Sequence, residues 1–312
     1  MTFAHRPVLA QEVIELMQPQ PGWIILDGTI GGAGHARLLL EASAPTGRVI
    51  GLDRDQDALS AAALVLAPYH DRVILRQGNF GDLSDHLRAC GLERVDGILF
   101  DLGVSSYQLD SPGRGFSFQS DGPLDMRMDP SGGRTAAQVI ATESYEVLRN
   151  IFRQFGEERW AGRIAKAIVK ERQGVPLTST RQLADLICRV VPVAHQARRI
   201  HPATRVFQAL RIFVNGELDC LEKGLQEGMA HLSPKGRMAV ISFHSLEDRM
   251  VKRAFRSAAT GCICPPRLPV CACNQKPLVK LLSSRGIRAT ETEVQDNPRA
   301  RSATLRGVER LH

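Results

Sequence analysis

The stretch Ile24-Ile25-Leu26-Asp27-Gly28-Thr29-Ile30-Gly31-Gly32-Ala33-Gly34-His35 decides the fold class. Three apolar residues form a short buried strand, the glycines break it into a tight loop, and the alanine and leucine pattern that follows begins a helix. Glycines at this junction give the backbone freedom to turn and let a ligand come close to the main chain. A second run, Arg48-Val49-Ile50-Gly51-Leu52-Asp53, ends in a carboxylate about 20 residues further on, where the ribose hydroxyls of an adenosine cofactor would be held. The loop departs from the dinucleotide pattern G-x-G-x-x-G, because Gly34 is followed by His35, Ala36 and Arg37 and the third glycine is missing. Asp27 at the strand tip would repel a pyrophosphate and attract a cation. The two features together favour S-adenosylmethionine, which carries a sulfonium and an ammonium, over a nicotinamide dinucleotide.

Strand and helix signals alternate outward from this stretch. Arg72-Val73-Ile74-Leu75-Arg76 leads to Gly78-Asn79-Phe80, and Val95-Asp96-Gly97-Ile98-Leu99-Phe100-Asp101 follows, with helical segments such as Ala58 to Leu66 between. The alternation predicts a doubly wound parallel sheet, an α/β Rossmann-like architecture, with Asp27, Asp53, Asn79, Phe80 and Asp101 on the rim where ligands bind. From Gln108 to Arg134 the chain is rich in Gly, Asp, Pro and Ser, a functional loop or an interdomain passage. A helical pattern runs from Thr135 to about Arg199, with Ser144 and Thr178 as N-caps, and reads as an inserted domain. The expected organisation is therefore 1–134 as the first part of the sheet domain, 135–200 as a helical insertion for substrate recognition, and 201–312 as the second part. That second part begins with a helix near Val206 to Leu225, continues with Arg237 to Phe243 as a strand and Leu246 to Arg256 as a helix, and ends with apolar runs at Leu278 to Leu282 and Ala303 to Leu305 that could close the sheet.

Composition narrows the function classes. The 312 residues are 43% hydrophobic and 23% charged, ordinary for a globular protein. No apolar run reaches the roughly 18 residues of a membrane-spanning helix. The segment Met1 to Pro7 lacks a signal-peptide core, which implies a cytoplasmic protein. The formal charge of +7 suits a polyanionic partner. Two basic stretches are candidates for contact with it: Arg198, Arg199, His201, Arg205 and Arg211, and Arg285, Arg288, Arg299, Arg301 and Arg306. Cys90, Cys188 and Cys220 read as core residues. Cys262, Cys264, Cys271 and Cys273 form C-x-C-x6-C-x-C, either a structural zinc site or a reduced, metal-free loop, since the spacing is tighter than the usual knuckle.

The chemistry is expected at Asp101-Leu102-Gly103-Val104-Ser105-Ser106-Tyr107-Gln108-Leu109-Asp110. An exocyclic amine is a poor nucleophile because its lone pair is delocalised into the ring, and an acceptor for an amino proton helps to localise it. Asp101 suits that role. Methylation at a ring carbon would need a cysteine nucleophile nearby, and none lies between Cys90 and Cys188. His244 is a second catalytic candidate on the rim of the fifth strand, or simply the start of a helix.

These motifs occur together with His5-Arg6-Pro7-Val8-Leu9, Gly113-Arg114-Gly115-Phe116-Ser117-Phe118, Asp125-Met126-Arg127-Met128, Ser242-Phe243-His244-Ser245-Leu246-Glu247-Asp248-Arg249 and Asn297-Pro298-Arg299-Ala300-Arg301-Ser302-Ala303. The combination resembles the RsmH (MraW) family across nearly the whole chain. The resemblance implies a class I S-adenosylmethionine-dependent methyltransferase that acts on N4 of a decoding-centre cytidine of 16S ribosomal RNA within the small subunit. It implies that Ala33, Gly34 and His35 line the amino-acid end of the donor, Asp53 holds the ribose, Phe80 packs near the adenine, and Asp101 and Gln108 complete the pocket. Ala33 stands where many relatives have glycine. Only the aspartate of the Asp-Pro-Pro-Tyr signature of other amino-methyltransferases is kept, so the aromatic that stacks on the base is to be sought among Phe116, Phe118 and Phe243. Two other readings of the pocket are an RNA-binding assembly factor without turnover and a DNA amino-methyltransferase.

Overall fold

The computed structural model describes residues 7–192, 201–261, 264, 273 and 275–312. Its centre is a seven-stranded sheet: β1 (Ile24–Asp27), β2 (Arg48–Asp53), β3 (Val73–Gln77), β4 (Val95–Asp101), β5 (Leu232–Ser242), β6 (Val279–Leu281) and β7 (Thr304–Arg310), in the order β3-β2-β1-β4-β5-β7-β6. The first five strands are parallel, and β7 runs antiparallel to both β5 and β6. The two apolar runs at the end of the chain thus close the sheet as expected. The order reverses at β1, whose neighbours β2 and β4 lie on opposite sides, and this switch point opens the crevice in which such sheets bind ligands.

Residues up to Gly103 and from Asp219 to His312 form one compact unit, and Val104–Leu218 form a second. The first holds α1 (Ala10–Met17), α2 (Gly34–Ala42), α3 (Gln56–Leu66) and α4 (Leu83–Ala89), and α5 (Ser106–Asp110) opens the second. One core cluster of the first unit gathers Ile25, Leu39, Val49, Leu99, Ile241 and Leu305, and another gathers Leu26, Phe100, Leu221, Met238, Phe255 and Val308. Strand β1 is a continuous apolar run rather than an alternation of apolar and polar residues because both faces of the sheet are covered, so Ile25 and Leu26 are both fully buried.

The second unit also holds α6 (Ala136–Thr142), α7 (Tyr145–Gln154), α8 (Ala161–Glu171), α9 (Thr180–Val190) and α10 (Thr204–Asn215). It is wider than 135–200 because Phe116, Leu124 and Met126, from the Gly- and Asp-rich stretch, are buried with Val139, Phe152, Ile164 and Leu210 in one core. Ser144 caps α7 as expected, but α9 is capped by Ser179 rather than Thr178, through a box in which Ser179 and Gln182 satisfy each other's backbone groups. The single helix expected from Val206 to Leu225 is two, α10 and α11 (Glu217–His231), because Gly216 adopts φ +58° and ends the first. The chain closes with α12 (Ser245–Ala259) and α13 (Glu291–Asp296) around the antiparallel strands.

Candidate functional site

Three carboxyl groups stand at the carboxyl ends of adjacent strands in the first unit: Asp53 on β2, Asp27 on β1 and Asp101 on β4. Backbone geometry ties them together. Asp27 Oδ1 accepts a hydrogen bond from Thr29 N at 3.1 Å, and Thr29 Oγ1 accepts from Asp101 N at 2.6 Å. Asp53 spans the glycine loop, accepting from Gly31 N at 3.0 Å through one oxygen and from Asp55 N at 2.9 Å through the other. The ribose-holding candidate is therefore also a brace for the loop. Thr29 is a site residue to which the sequence reading gave no role, although its position two residues after Asp27 is the signature of an Asx turn.

Burial sets the charge state of these groups. Burial pushes the Asp27 carboxyl up to about 7, with repulsion from Asp53 adding to it against the opposing hydrogen bonds from Thr29. Asp101 is pushed up to about 8, first by burial and then by Asp27 and Glu247. Burial also raises Asp53. Asp101 keeps 27% of its side-chain surface, yet its Oδ1 is occluded and has no hydrogen-bond partner among the described residues. His35, in the first turn of α2, is 6% exposed, and burial lowers its imidazole to about 4 against a weaker opposing influence of the Val8 backbone. Neither of its ring nitrogens makes a hydrogen bond of ordinary geometry among the described residues.

The loop itself is built for close approach. Ala33 is the N-cap of α2 in the left-handed region, φ +60°, a conformation that favours glycine. A Cβ on Gly28 would come within 2.5 Å of the Phe100 ring and 2.9 Å of Phe80 Cβ. Phe80 follows β3 and lies with its ring 4.5 Å, centroid to centroid, from that of Phe100. Gly34 packs against Pro7.

The chain belongs to the MraW methylase family. The family model matches residues 2–311. "Ribosomal RNA small subunit methyltransferase H" of Syntrophotalea carbinolica is 59% identical over 99% of this chain and 98% of its own length. The proteins of that name from Trichlorobacter lovleyi and Geobacter sulfurreducens are 54% and 51% identical, over 99% and 100% of each chain respectively. An MraW methylase is S-adenosylmethionine-dependent, and the sheet described above is a Rossmann-like core. The rim fits that donor. Asp27 and Asp101 are held above the usual carboxylate range chiefly by burial, and a sulfonium and an ammonium beside them would favour their ionised forms. The orphaned polar atoms of His35 and Asp101 add groups that a bound molecule can satisfy.

Other residues of this MraW methylase take positions the motifs alone did not settle. His244 is the N-cap of α12: its Nδ1 accepts from Glu247 N at 3.4 Å, and its Nε2 lies 3.1 Å from Glu247 Oε1 without the direction of a hydrogen bond. Glu247, 2% exposed, accepts in return from Phe243 N at 2.9 Å and His244 N at 3.3 Å. Phe243 is half-buried, with its ring at the edge of Gly103. Of the aromatic candidates in the second unit, Phe116 is 8% exposed in the core and Phe118 is engaged by His201 and Phe207. Gln108 is also in the second unit, where its Oε1 accepts from Ser105 N at 3.0 Å in the capping box of α5. Asp125 and Arg127 form a bidentate pair at 2.8 Å that braces their own loop.

The basic stretches are partly consumed within the fold. Arg211 pairs with Glu217 and Arg306 with Asp248, while Arg205 donates to Glu157 O. Arg198 and Arg199 lie outside the described residues. So do Cys262 and Cys271 of the cysteine tetrad. Cys90, Cys188 and Cys220 are half-buried rather than core residues, and Cys220 Sγ accepts from Asn79 Nδ2 at 2.8 Å.

Proposed function

We propose that this chain transfers a methyl group from S-adenosylmethionine to N4 of a cytidine in 16S ribosomal RNA, with the small ribosomal subunit as its substrate in the cytoplasm. The observation that carries the reading is the rim carboxyl Asp101, held with Asp27 above the usual carboxylate range at the ends of adjacent strands, in a chain whose full-length relatives are named for methylation of small-subunit ribosomal RNA. That no described helix is long and apolar enough to cross a membrane accords with such a substrate.

The donor, when bound, supplies an electrophilic methyl on sulfur. In our reading Asp27 faces its positive charge, Ala33, Gly34 and His35 line the amino-acid end, Asp53 receives the ribose hydroxyls, and Phe80 packs near the adenine, with Gln108 assigned to the same pocket. Asp101 in its carboxylate form accepts a hydrogen bond from the exocyclic amine and helps to localise the nitrogen lone pair. Phe243, half-buried just after β5 while Phe116 and Phe118 are engaged within the second unit, is the aromatic we assign to the base, which must leave its stack to be reached. His244 and Glu247 are assigned the positioning of that loop rather than proton transfer. The inserted segment 135–200 is assigned to substrate recognition.

Nitrogen rather than carbon methylation is supported by the thiols. No cysteine lies between Cys90 and Cys188 in the sequence, so the segment that follows Asp101 carries no thiol to attack a ring carbon. The test is methyl transfer from labelled S-adenosylmethionine to unmethylated small subunits, naked ribosomal RNA and duplex DNA, followed by nucleoside mass spectrometry. N4-methylcytidine on the subunit is expected. Transfer to DNA alone, or donor binding with no transfer to any of the three, would sink the assignment.

A further inference from the structure

The cations that stand out in the folded protein differ from those that stand out in the sequence. Helix α8 buries Ala161, Ile164, Ala165 and Ile168 against the core of the second unit. Its exposed positions are Arg163, Lys166 and Lys170, so each exposed residue of this helix is a cation. In the segment before it Arg153, near the end of α7, and Arg159 are also exposed, together with Gln154 and Glu157. None of these five side chains has a hydrogen bond or ion pair among the described residues. Arg211, Arg237 and Arg306, by contrast, are each held by a carboxylate. Behind them Arg149 lies over the Tyr145 ring at 5.7 Å, beside Gly162 of α8, with its Nε buried and without a hydrogen-bond partner among the described residues.

A helix face kept merely for solubility mixes signs, since Glu and Lys four residues apart support a helix and like charges at that spacing weaken it. Lys166 and Lys170 are such a like-charged pair, and Arg163 adds a positive charge in the first turn, where the helix dipole disfavours it. The local electrostatics therefore oppose this arrangement, and a polyanion would reverse the balance. Arg163 and Lys170 are about 10 Å apart along the helix, enough to engage successive phosphates of one strand. The exposed row of α8 carries cations and no large apolar residue, so it lacks the apolar face with which an amphipathic helix enters a lipid surface.

We infer that the exposed face of α8, extended by Arg153 and Arg159, is a docking surface for the phosphodiester backbone of RNA. The inference rests on the ribosomal RNA reading for its partner and on the second unit alone for its geometry.

The test uses the full chain and fluorescein-labelled naked small-subunit ribosomal RNA, with fluorescence anisotropy over a salt series. Replacing Arg163, Lys166 and Lys170 together by alanine is expected to weaken binding on the order of tenfold or more at low salt and to reduce the slope of log K against log salt by about 2 to 3. The Arg153→Ala, Arg159→Ala double variant, outside α8, is expected to reduce the slope by about 1 to 2. Both should bind S-adenosylmethionine as the parent does and raise the KM for RNA with little change in kcat. Replacing Lys166 and Lys170 by arginine should preserve binding. Unchanged affinity and slope in both alanine variants would overturn the docking surface, as would selective loss of binding to phosphatidylserine vesicles with RNA binding intact. If the parent chain transfers no methyl to small subunits or to the naked RNA, the substrate reading fails, and the surface is judged separately by whether the alanine variants lose RNA binding that the parent retains.

Discussion

His35 Nε2 stands 3.6 Å from Asp101 Oδ2, close enough for an ion pair, yet neither group is disposed to carry its charge. Burial lowers the imidazole to about 4 and raises the carboxyl to about 8, so at neutral pH the proton belongs on the carboxyl and the pair is uncharged. Keeping His35 neutral leaves Asp27 and Asp101 available to a cation from outside the chain.

Donor affinity should therefore rise with pH. Asp27 and Asp101, at about 7 and 8, are largely protonated at pH 6, and a bound cation favours their ionised forms, so binding must release protons. Isothermal titration calorimetry between pH 6 and 7.5, below the loss of the ligand's own ammonium proton, should show tightening of up to about tenfold per pH unit for each proton released. S-adenosylhomocysteine, without the sulfonium charge, should show a shallower dependence. Equal, flat profiles for both ligands would contradict the electrostatic account of the rim.

The same carboxyl should cost stability in the ligand-free protein. Because the folded Asp101 binds its proton more tightly than the unfolded chain does, stability falls as pH rises from the unfolded value of 3.8 through the folded value of about 8. Asp101→Asn removes this penalty, so its Tm should match the parent near pH 4 and exceed it by an amount that grows to a plateau above pH 8. Each kcal/mol recovered corresponds to about 2–4 °C. Methyl transfer should be lost in the same variant while the fold becomes more robust, a combination that a purely structural carboxyl would not give.

Thr29→Val tests the link between the two strand ends. It keeps the side-chain shape and deletes the acceptor that lies 2.6 Å from Asp101 N, leaving that amide without its partner at a cost of about 1–3 kcal/mol. We expect a lower kcat, because Asp101 is no longer held, with a smaller change in donor affinity. Thr29→Ser restores the hydroxyl and should recover most of the rate. Denaturant unfolding together with single-turnover transfer separates the two effects.

Much of this site was legible from strand ends. Asp27, Asp53 and Asp101 each close an apolar run, and parallel strands bring such residues to one rim whatever their separation in sequence. What was not legible depends on contacts between distant segments. The nearness of His35 to Asp101 and the clasp from Thr29 to Asp101 join residues 66 or more positions apart, and no periodicity records them. The helix expected from Val206 to Leu225 failed for a local reason: its apolar pattern runs through Gly216, whose positive φ interrupts the helix without interrupting the pattern. The stretch from Gln108 to Arg134 read as loop by composition, and only the burial of Phe116, Leu124 and Met126 reveals it as part of a core. The cations of α8 were likewise hidden, since exposure and the absence of partners among the described residues, rather than local charge density, set them apart.

Asn215 ties that stretch to the helices of the second unit. Its Nδ2 donates to Met126 O at 2.8 Å and to Arg211 O at 2.9 Å, while its Oδ1 accepts from Met128 N at 2.8 Å, all at 4% exposure. Met126 itself sits at φ +64°, so the loop is held in a conformation its residues disfavour and depends on these bonds. Asn215→Ala leaves a buried amide and a buried carbonyl unpaired, and should destabilise the second unit by about 2–4 kcal/mol. Asn215→Asp keeps the acceptor for Met128 N but places a carboxylate oxygen against two carbonyls, and should be at least as damaging above about pH 5, where an ordinary aspartate is ionised. Thermal unfolding and proteolysis of residues 115–134 report the loss directly. Wild-type resistance of that segment in Asn215→Ala would show that the core contacts of Leu124 and Met126 hold the loop without the asparagine.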